Sequence, residues 1–300
     1  MSALLLAVLA VVLAGPGPRL MARFARFRRV PGPALLAWQA VGLSAVVAAL
    51  LVGPAVLASA AGGEGSDGDR LAAHPLLLTV CLGASGLVLA LVLLSGHRVG
   101  TGLRTLRQRH RELVDLLAEP AAVVVAGRTT PRRDRIRVLS DGRPTAYCLP
   151  GPHHRLVVSR SALEALTEEE LDAVLEHERA HLRARHDLVL EFFSVLHHTV
   201  PAAVRCPAAM AEVSLLVEAL ADRAALRTAG ARPLARALVA MAGGRPPEAA
   251  LGAGGPAGQV RTRLALIAAA AEPVPVLTAV VLGFAAVVTA TPWALFAWAF

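Results

Sequence analysis

Leu171-Asp172-Ala173-Val174-Leu175-Glu176-His177-Glu178-Arg179-Ala180-His181-Leu182 is the stretch on which the reading of this chain turns. Leu171, Val174, Leu175 and Leu182 have the spacing of one apolar helical stripe. Upstream, Thr167 and Glu170 form a capping box, and Glu168 and Glu169 fall in the first turn, where they complement the helix dipole. On that helix His177 and His181 lie four residues apart on one face, where both imidazoles can bind a single metal ion. Glu178 stands beside the first of them and can reach a water on that ion. Zinc lowers the pKa of such a water, and a carboxylate that takes its proton turns it into a nucleophile toward a peptide carbonyl.

A catalytic zinc site has three protein ligands and an open position. The third ligand is sought on a later helix, from about Ala208 to Ala229, which Gly230 ends. Within it, Leu216-Val217-Glu218-Ala219-Leu220-Ala221-Asp222 places a carboxylate in an apolar run. A carboxylate there is costly unless it is paired or bound to a metal, so Glu218 is the candidate third ligand. Asp222, one turn further on, is the candidate to accept a hydrogen bond from a ligand histidine. The competing reading of both is a solvated helix face with Arg223 and Arg227 as ion-pair partners.

The rest of the chain sets the context. Of the 300 residues 55% are apolar, and the mean hydropathy is +0.57. The apolar residues gather in four blocks: residues 2–20, 33–61, 76–96 and 274–300. A membrane span needs about 20 apolar residues. The first block runs from Ser2 to Ala14 and needs Gly15 to Leu20, or local thinning of the bilayer, to reach that length. It starts directly after Met1 with its arginines behind it, which favours a retained span over a cleaved leader.

All 30 Lys/Arg residues are arginine, and the net charge is +8. Arg19, Arg23, Arg26, Arg28 and Arg29 follow the first block; Arg98, Arg104, Arg107, Arg109 and Arg111 follow the third; Arg261 and Arg263 precede the fourth. The connection between the second and third blocks carries Glu64, Asp67, Asp69 and only Arg70. The positive-inside rule then puts both termini outside and residues 97–272 in the cytoplasm of a multi-pass plasma-membrane protein. No arginine patch carries interleaved aromatics, so direct nucleic-acid binding is not expected. The three cysteines, Cys81, Cys148 and Cys206, form no CxxC pair and so no thiolate site.

Residues 97–272 read as one α+β domain. A basic helix runs from Arg98 to Leu117. A small sheet follows over residues 121–159, from short runs at Ala121 to Ala126, Ile136 to Leu139, Thr145 to Leu149 and Leu156 to Ser159. Asp141-Gly142 is a hairpin signal. Helices fill residues 160–242, and the Gly/Pro-rich stretch 243–258 reads as a flexible loop. The fold class is thus an α-helical membrane protein with four spans and a cytosolic α+β domain, which the resemblance described next makes zincin-like.

The run from Val158 to Leu171, then His177-Glu178-Arg179-Ala180-His181, then Glu218 to Asp222, resembles the integral-membrane gluzincins, which include HtpX-like and CAAX-prenyl-protease-like peptidases. The span layout is similar to the BlaR/MecR-type antirepressor peptidases. That resemblance implies one Zn2+ held by His177, His181 and Glu218, Glu178 as general base and Asp222 as a supporting acid. It also matches Tyr147-Cys148-Leu149 and the Arg155 to Ser159 strand to the family's edge-strand region, making Tyr147 and Val157 expected substrate contacts by strand addition. The implied partner is a cytosolic protein substrate, a winged-helix transcriptional repressor. The chain departs from that family in having no Lys, hence no Ser-x-x-Lys penicillin-binding motif. Two alternatives stay open: a quality-control peptidase of the HtpX kind, and a catalytically silent membrane scaffold.

Among the other candidates, His186 reads as a helix-end histidine, His197 and His198 as core or surface residues, and His153 and His154 as solvated turn residues. Glu176 reads as a partner of Arg179 or Arg183.

Overall fold

The computed structural model describes residues 1–61, 75–120, 136–140, 142–151, 154–242, 251–252 and 257–299. The helices, in chain order, are α1 (Ser2–Ala14), α2 (Pro16–Met21), α3 (Pro31–Ala61), α4 (Pro75–Leu117), α5 (Arg160–Ala165), α6 (Glu168–Arg183), α7 (His186–Thr199), α8 (Pro207–Ala229), α9 (Ala231–Ala240), α10 (Ala257–Ala268) and α11 (Pro275–Ala297). The strands are β1 (Glu119–Pro120), β2 (Ile136–Leu139), β3 (Ala146–Leu149), β4 (Arg155–Ser159) and β5 (Leu251–Gly252). The chain divides into two units. One comprises Met1–Val99, Phe192–Val213 and Val274–Phe300; the other comprises Gly100–Glu191 and Ser214–Pro273.

In the first unit α3, α4 and α11 are long and apolar enough to cross a membrane. Helix α1 is equally apolar but has 13 residues, about 20 Å of helix against about 30 Å of hydrocarbon. Its continuation toward Leu20 is broken where Gly15 leaves helical geometry and Pro16, which has no N–H to give, starts α2. Small residues let α3 pack closely. A Cβ at Gly53 would stand 3.0 Å from the backbone of Leu82, and the Gly53 N–H donates to Ser85 Oγ at 2.9 Å. Around α3, Leu6, Ala48 and Ala55 form a buried cluster with Leu295 and Phe296.

In the second unit the sheet order is β1-β2-β4-β3-β5. Strand β4 pairs parallel with β2 and antiparallel with β3. The Asp141-Gly142 signal therefore does not join two neighbouring strands: β4 lies between β2 and β3, and the hairpin is the one between β3 and β4, through Gly151 at φ 133°. A side chain at Gly151 would also collide with Arg111. Alternation along the strands sends Val138, Cys148, Leu156 and Val158 toward Leu171, Val174 and Leu175 of α6, and sends Tyr147, Leu149 and Val157 toward Val114 of α4. A second cluster joins Ala173 of α6, Ala225 of α8, Leu234 and Leu238 of α9, and Val260 and Ile267 of α10. It fixes α8 and α10 against the histidine-bearing helix. The expected Ala121 to Ala126 strand, residues 243–250 and 253–256 of the Gly/Pro-rich stretch, the acidic connection from Glu64 to Arg70, and His153 lie outside the described residues.

Candidate metal centre

Helix α6 begins with the capping box read from the sequence. The Thr167 side chain accepts from the Glu170 N–H, and the Glu170 carboxylate accepts from the Thr167 N–H at 3.0 Å. The helix ends at Arg183, and the chain turns through Arg185 at φ 52° into α7. His177, Glu178 and His181 are all buried, with His177 and His181 at 0% exposure.

Their ring nitrogens converge on the Glu218 carboxylate of α8. His177 Nε2 lies 3.1 Å from His181 Nε2, 3.4 Å separates His177 Nε2 from Glu218 Oε2, and 3.4 Å separates His181 Nε2 from Glu218 Oε1. Four ligands at about 2.05 Å from a tetrahedral zinc ion stand about 3.3 Å from one another. The three atoms thus match one face of such a tetrahedron, and these residues can hold a metal ion. The charges agree: the carboxylates of Glu178, Glu218 and Asp222 gather around the guanidinium of Arg263, and acids held this closely favour a dication.

Two buried partners orient the rings. His177 Nδ1 lies 3.0 Å from Asp222 Oδ1, so Asp222 accepts the Nδ1–H and leaves Nε2 to face the site. His181 Nδ1 lies 3.0 Å from His186 Nδ1. Burial, and after it the neighbouring His181, push His186 down to about 4, so its ring is neutral and its Nδ1 accepts from His181. His186 is not the helix-end residue read from the sequence. It opens α7 and is 4% exposed.

Arg263 of α10, expected among the charges that set membrane orientation, lies instead in the interior. It is 0% exposed and pairs with both carboxylates: Nη2 to Asp222 Oδ1 at 2.6 Å, Nε to Asp222 Oδ2 at 2.8 Å, and Nη1 to Glu218 Oε2 at 2.9 Å. Burial alone would raise Glu218 and Asp222. The guanidinium instead holds Asp222 below, and Glu218 well below, the ordinary carboxylate range. The partner of these acids is thus Arg263, not Arg223 or Arg227. For His177, burial works against the charged ring, yet the hydrogen bonds to Asp222 and Glu218 raise it to about 9. Cys148 of β3 also faces the centre, which its place in the sequence does not signal. It is fully buried, and burial first, then the Glu178 carboxylate, raises its thiol well above the usual value.

The expected substrate contacts are placed differently. Val157 lies in β4, whose backbone is paired on both sides, so that strand is interior. Tyr147 is 4% exposed with its hydroxyl 3.0 Å from His110 Nε2, and β5 pairs with β3 at Tyr147 and Cys148. Neither residue offers an open sheet edge. Glu176 pairs with Arg179 at 2.7 Å and Arg183 at 3.1 Å, while His197 and His198 belong to the first unit.

The model of peptidase family M48 matches residues 107–269, the stretch that carries the whole of this centre. The plastoglobule-localized metallopeptidase 48, chloroplastic, of Arabidopsis thaliana is 33% identical over 161 residues, which cover 50% of this chain and 45% of that protein. The chain thus spans about half the length of the curated relative it matches. No solved structure matches.

Proposed function

We propose that this chain, which belongs to peptidase family M48, is a membrane-bound zinc metallopeptidase that hydrolyses peptide bonds of a cytosolic regulatory protein. The observation that carries this reading is the triangle of His177 Nε2, His181 Nε2 and Glu218, with edges of 3.1 and 3.4 Å, beside the buried carboxylate of Glu178. A divalent ion held there supplies Lewis acidity toward water and toward the scissile carbonyl. The chain's own groups do the rest. Glu178 takes a proton from the attacking water and hands it to the leaving amine nitrogen. Asp222 and His186 hold the two imidazoles with their Nε2 atoms toward the site. Arg263 fixes the carboxylates of Glu218 and Asp222 and offsets their mutual repulsion.

Spans at α3, α4 and α11, a fourth at α1 where the bilayer thins to its length, and residues 97–272 in the cytoplasm suit this role. Arg28, in the basic connection after the first apolar block, forms an ion pair with Glu212, and Arg19 donates to the Val204 carbonyl at 3.0 Å. Groups in contact cannot stand on opposite sides of a hydrocarbon layer about 30 Å thick, so this connection and residues 204–212 share one face of the membrane. The similarity to BlaR/MecR-type peptidases supports a winged-helix repressor as the substrate. Coexpression of such a repressor with the native chain and with Glu178→Gln tests this. Loss of intact repressor with the native chain alone supports the reading, and a repressor left intact by both rejects it.

A further inference from the structure

The arginines between α1 and α3 do not all have the same part. Two of them fix the segment to its own unit. Arg19 donates from Nη1 to the Gly15 carbonyl at 2.8 Å and from Nη2 to the Val204 carbonyl at 3.0 Å. Arg28 donates from Nε to Glu212 Oε2 at 2.9 Å and pairs with Oε1 through Nη2. Met21 and Val30, at the two ends of the stretch between α2 and α3, are buried. The chain between them closes into a 3-10 turn, Ala25–Arg29, entered from Phe24. The segment is thus a fixed element and not a loose basic tail.

Arg23 and Arg26 differ from these. Both are exposed, and neither has an ion-pair or hydrogen-bond partner among the described residues. Glu212 is the only acid among the described residues of this unit, and Arg28 holds it. Their charge is therefore left for a group outside the chain to neutralise. Phe24 stands between them in the chain, 49% exposed and stacked on Phe27 with ring centroids 5.7 Å apart. Leu20, just before, is 55% exposed. Two open guanidinium groups thus flank an apolar surface that is itself half open.

Depth selects the ligand. Helix α3 is long and apolar enough to cross a membrane and starts at Pro31, directly after this turn. Its 31 residues make about 46 Å of helix. A bilayer with its headgroup regions is about 40–45 Å thick. A span of that length reaches from one headgroup layer to the other, so its first residue and the turn before it stand among headgroups. The anions of that layer are lipid phosphates, and the acyl chains beneath them are the apolar partner for Phe24 and Leu20.

We infer that Arg23, Phe24 and Arg26 form a binding site for an anionic phospholipid, with the two guanidinium groups on its headgroup and Phe24 against its acyl chain. Guanidinium forks match phosphate oxygens with parallel hydrogen bonds, and arginines free of internal partners make them without breaking a pair. Two cations also favour a lipid of net negative charge over a zwitterionic one, whose own cation they repel. The inference does not rest on the peptidase reading.

The full-length protein in dodecyl maltoside micelles is titrated with phosphatidylglycerol and, separately, with phosphatidylcholine, and bound lipid is counted by native mass spectrometry. Phosphatidylglycerol binds the native chain about thirtyfold tighter, from about fivefold for each cation that meets an anionic headgroup. Arg23→Gln or Arg26→Gln alone cuts the preference to about fivefold, and the two together bring it near one. Arg23→Lys with Arg26→Lys keeps both charges and preserves most of the preference. Phe24→Ala weakens both lipids alike. Arg232→Gln with Arg236→Gln removes two exposed charges on α9 and leaves the preference unchanged. A preference lost in the double glutamine variant while phosphatidylcholine still binds as before upholds the site, because the protein is then folded. Equal affinity for the two lipids in the native chain overturns it, as does a preference that the α9 substitutions lower as far as those at Arg23 and Arg26 do. Displacement of phosphatidylglycerol by an equal concentration of inorganic phosphate assigns the arginines to a soluble anion and overturns it too.

Discussion

Arg263 and Asp222 form a doubly hydrogen-bonded pair in the interior, Nη2 to Oδ1 at 2.6 Å and Nε to Oδ2 at 2.8 Å, and the same Oδ1 lies 3.0 Å from His177 Nδ1. One arginine thus anchors the acid that orients a proposed ligand. Removing one partner of a buried pair leaves the other charge uncompensated, at a cost of about 3–5 kcal/mol. Arg263→Met should lower the stability of the ion-free protein by that order, and bound metal, a replacement cation, should restore part of it. Denaturation with and without zinc measures both. A variant as stable as the native chain would show that the pair contributes nothing net.

Asp222→Asn keeps the shape of the side chain but weakens the acceptor for the His177 Nδ1–H. Partners of this kind are worth about 10–100-fold in metal affinity, and zinc affinity should fall within that range. Competition against a chelator reads the change directly.

The charge on His177 gives a pH dependence. Its pKa is raised from 6.5 to about 9 by Asp222 and Glu218, against the opposing effect of burial. A raised folded-state value adds stability in full below the unfolded pKa, and that stability is lost as pH rises through the folded one. The ion-free chain should therefore lose stability between pH 6.5 and about 9. Metal uptake runs the other way, because a ligand imidazole must first give up its proton. Zinc affinity should rise through the same window, by up to about tenfold per pH unit, and then level off. Affinity that does not change with pH would count against ligation by His177.

Cys148 has its thiol raised well above the ordinary value, chiefly by burial and then by Glu178. Only the thiolate reacts with alkylating reagents. At pH 8 iodoacetamide should modify the half-buried Cys206 and spare Cys148 until the chain is unfolded, as peptide mass spectrometry will show. Early modification of Cys148 would mean that the β3 side of the centre opens readily.

The local features of the centre were legible because their signals are local. The capping box, the four-residue spacing of His177 and His181, and the carboxylates at Glu218 and Asp222 each follow from helical periodicity. Strand order was not legible. The β2–β4 pairing is parallel and spans the whole of β3, so the turn signal at Asp141-Gly142 cannot foretell it, and the resemblance puts at a sheet edge a strand, β4, that is interior. Arg263 is hidden among the arginines that read as orientation signals, since composition does not tell a buried cation from an exposed one. Its spacing could have shown it: Val260, Leu264 and Ile267 mark the buried face of α10, and Arg263 falls among them. His186 carried no comparable signal, because its contact with His181 depends on the turn made at Arg185.

The most direct measurement pairs metal content with proteolysis in the detergent-solubilised native protein and in Glu178→Gln. Glu178 is beside the metal triad but outside it, so the substitution should leave one zinc per chain in both proteins and reduce cleavage of a peptide library by several orders of magnitude in the variant alone. Native protein that binds no metal, or a variant that cleaves as fast as the native chain, would contradict the assignment of His177, His181 and Glu218 as ligands and Glu178 as base.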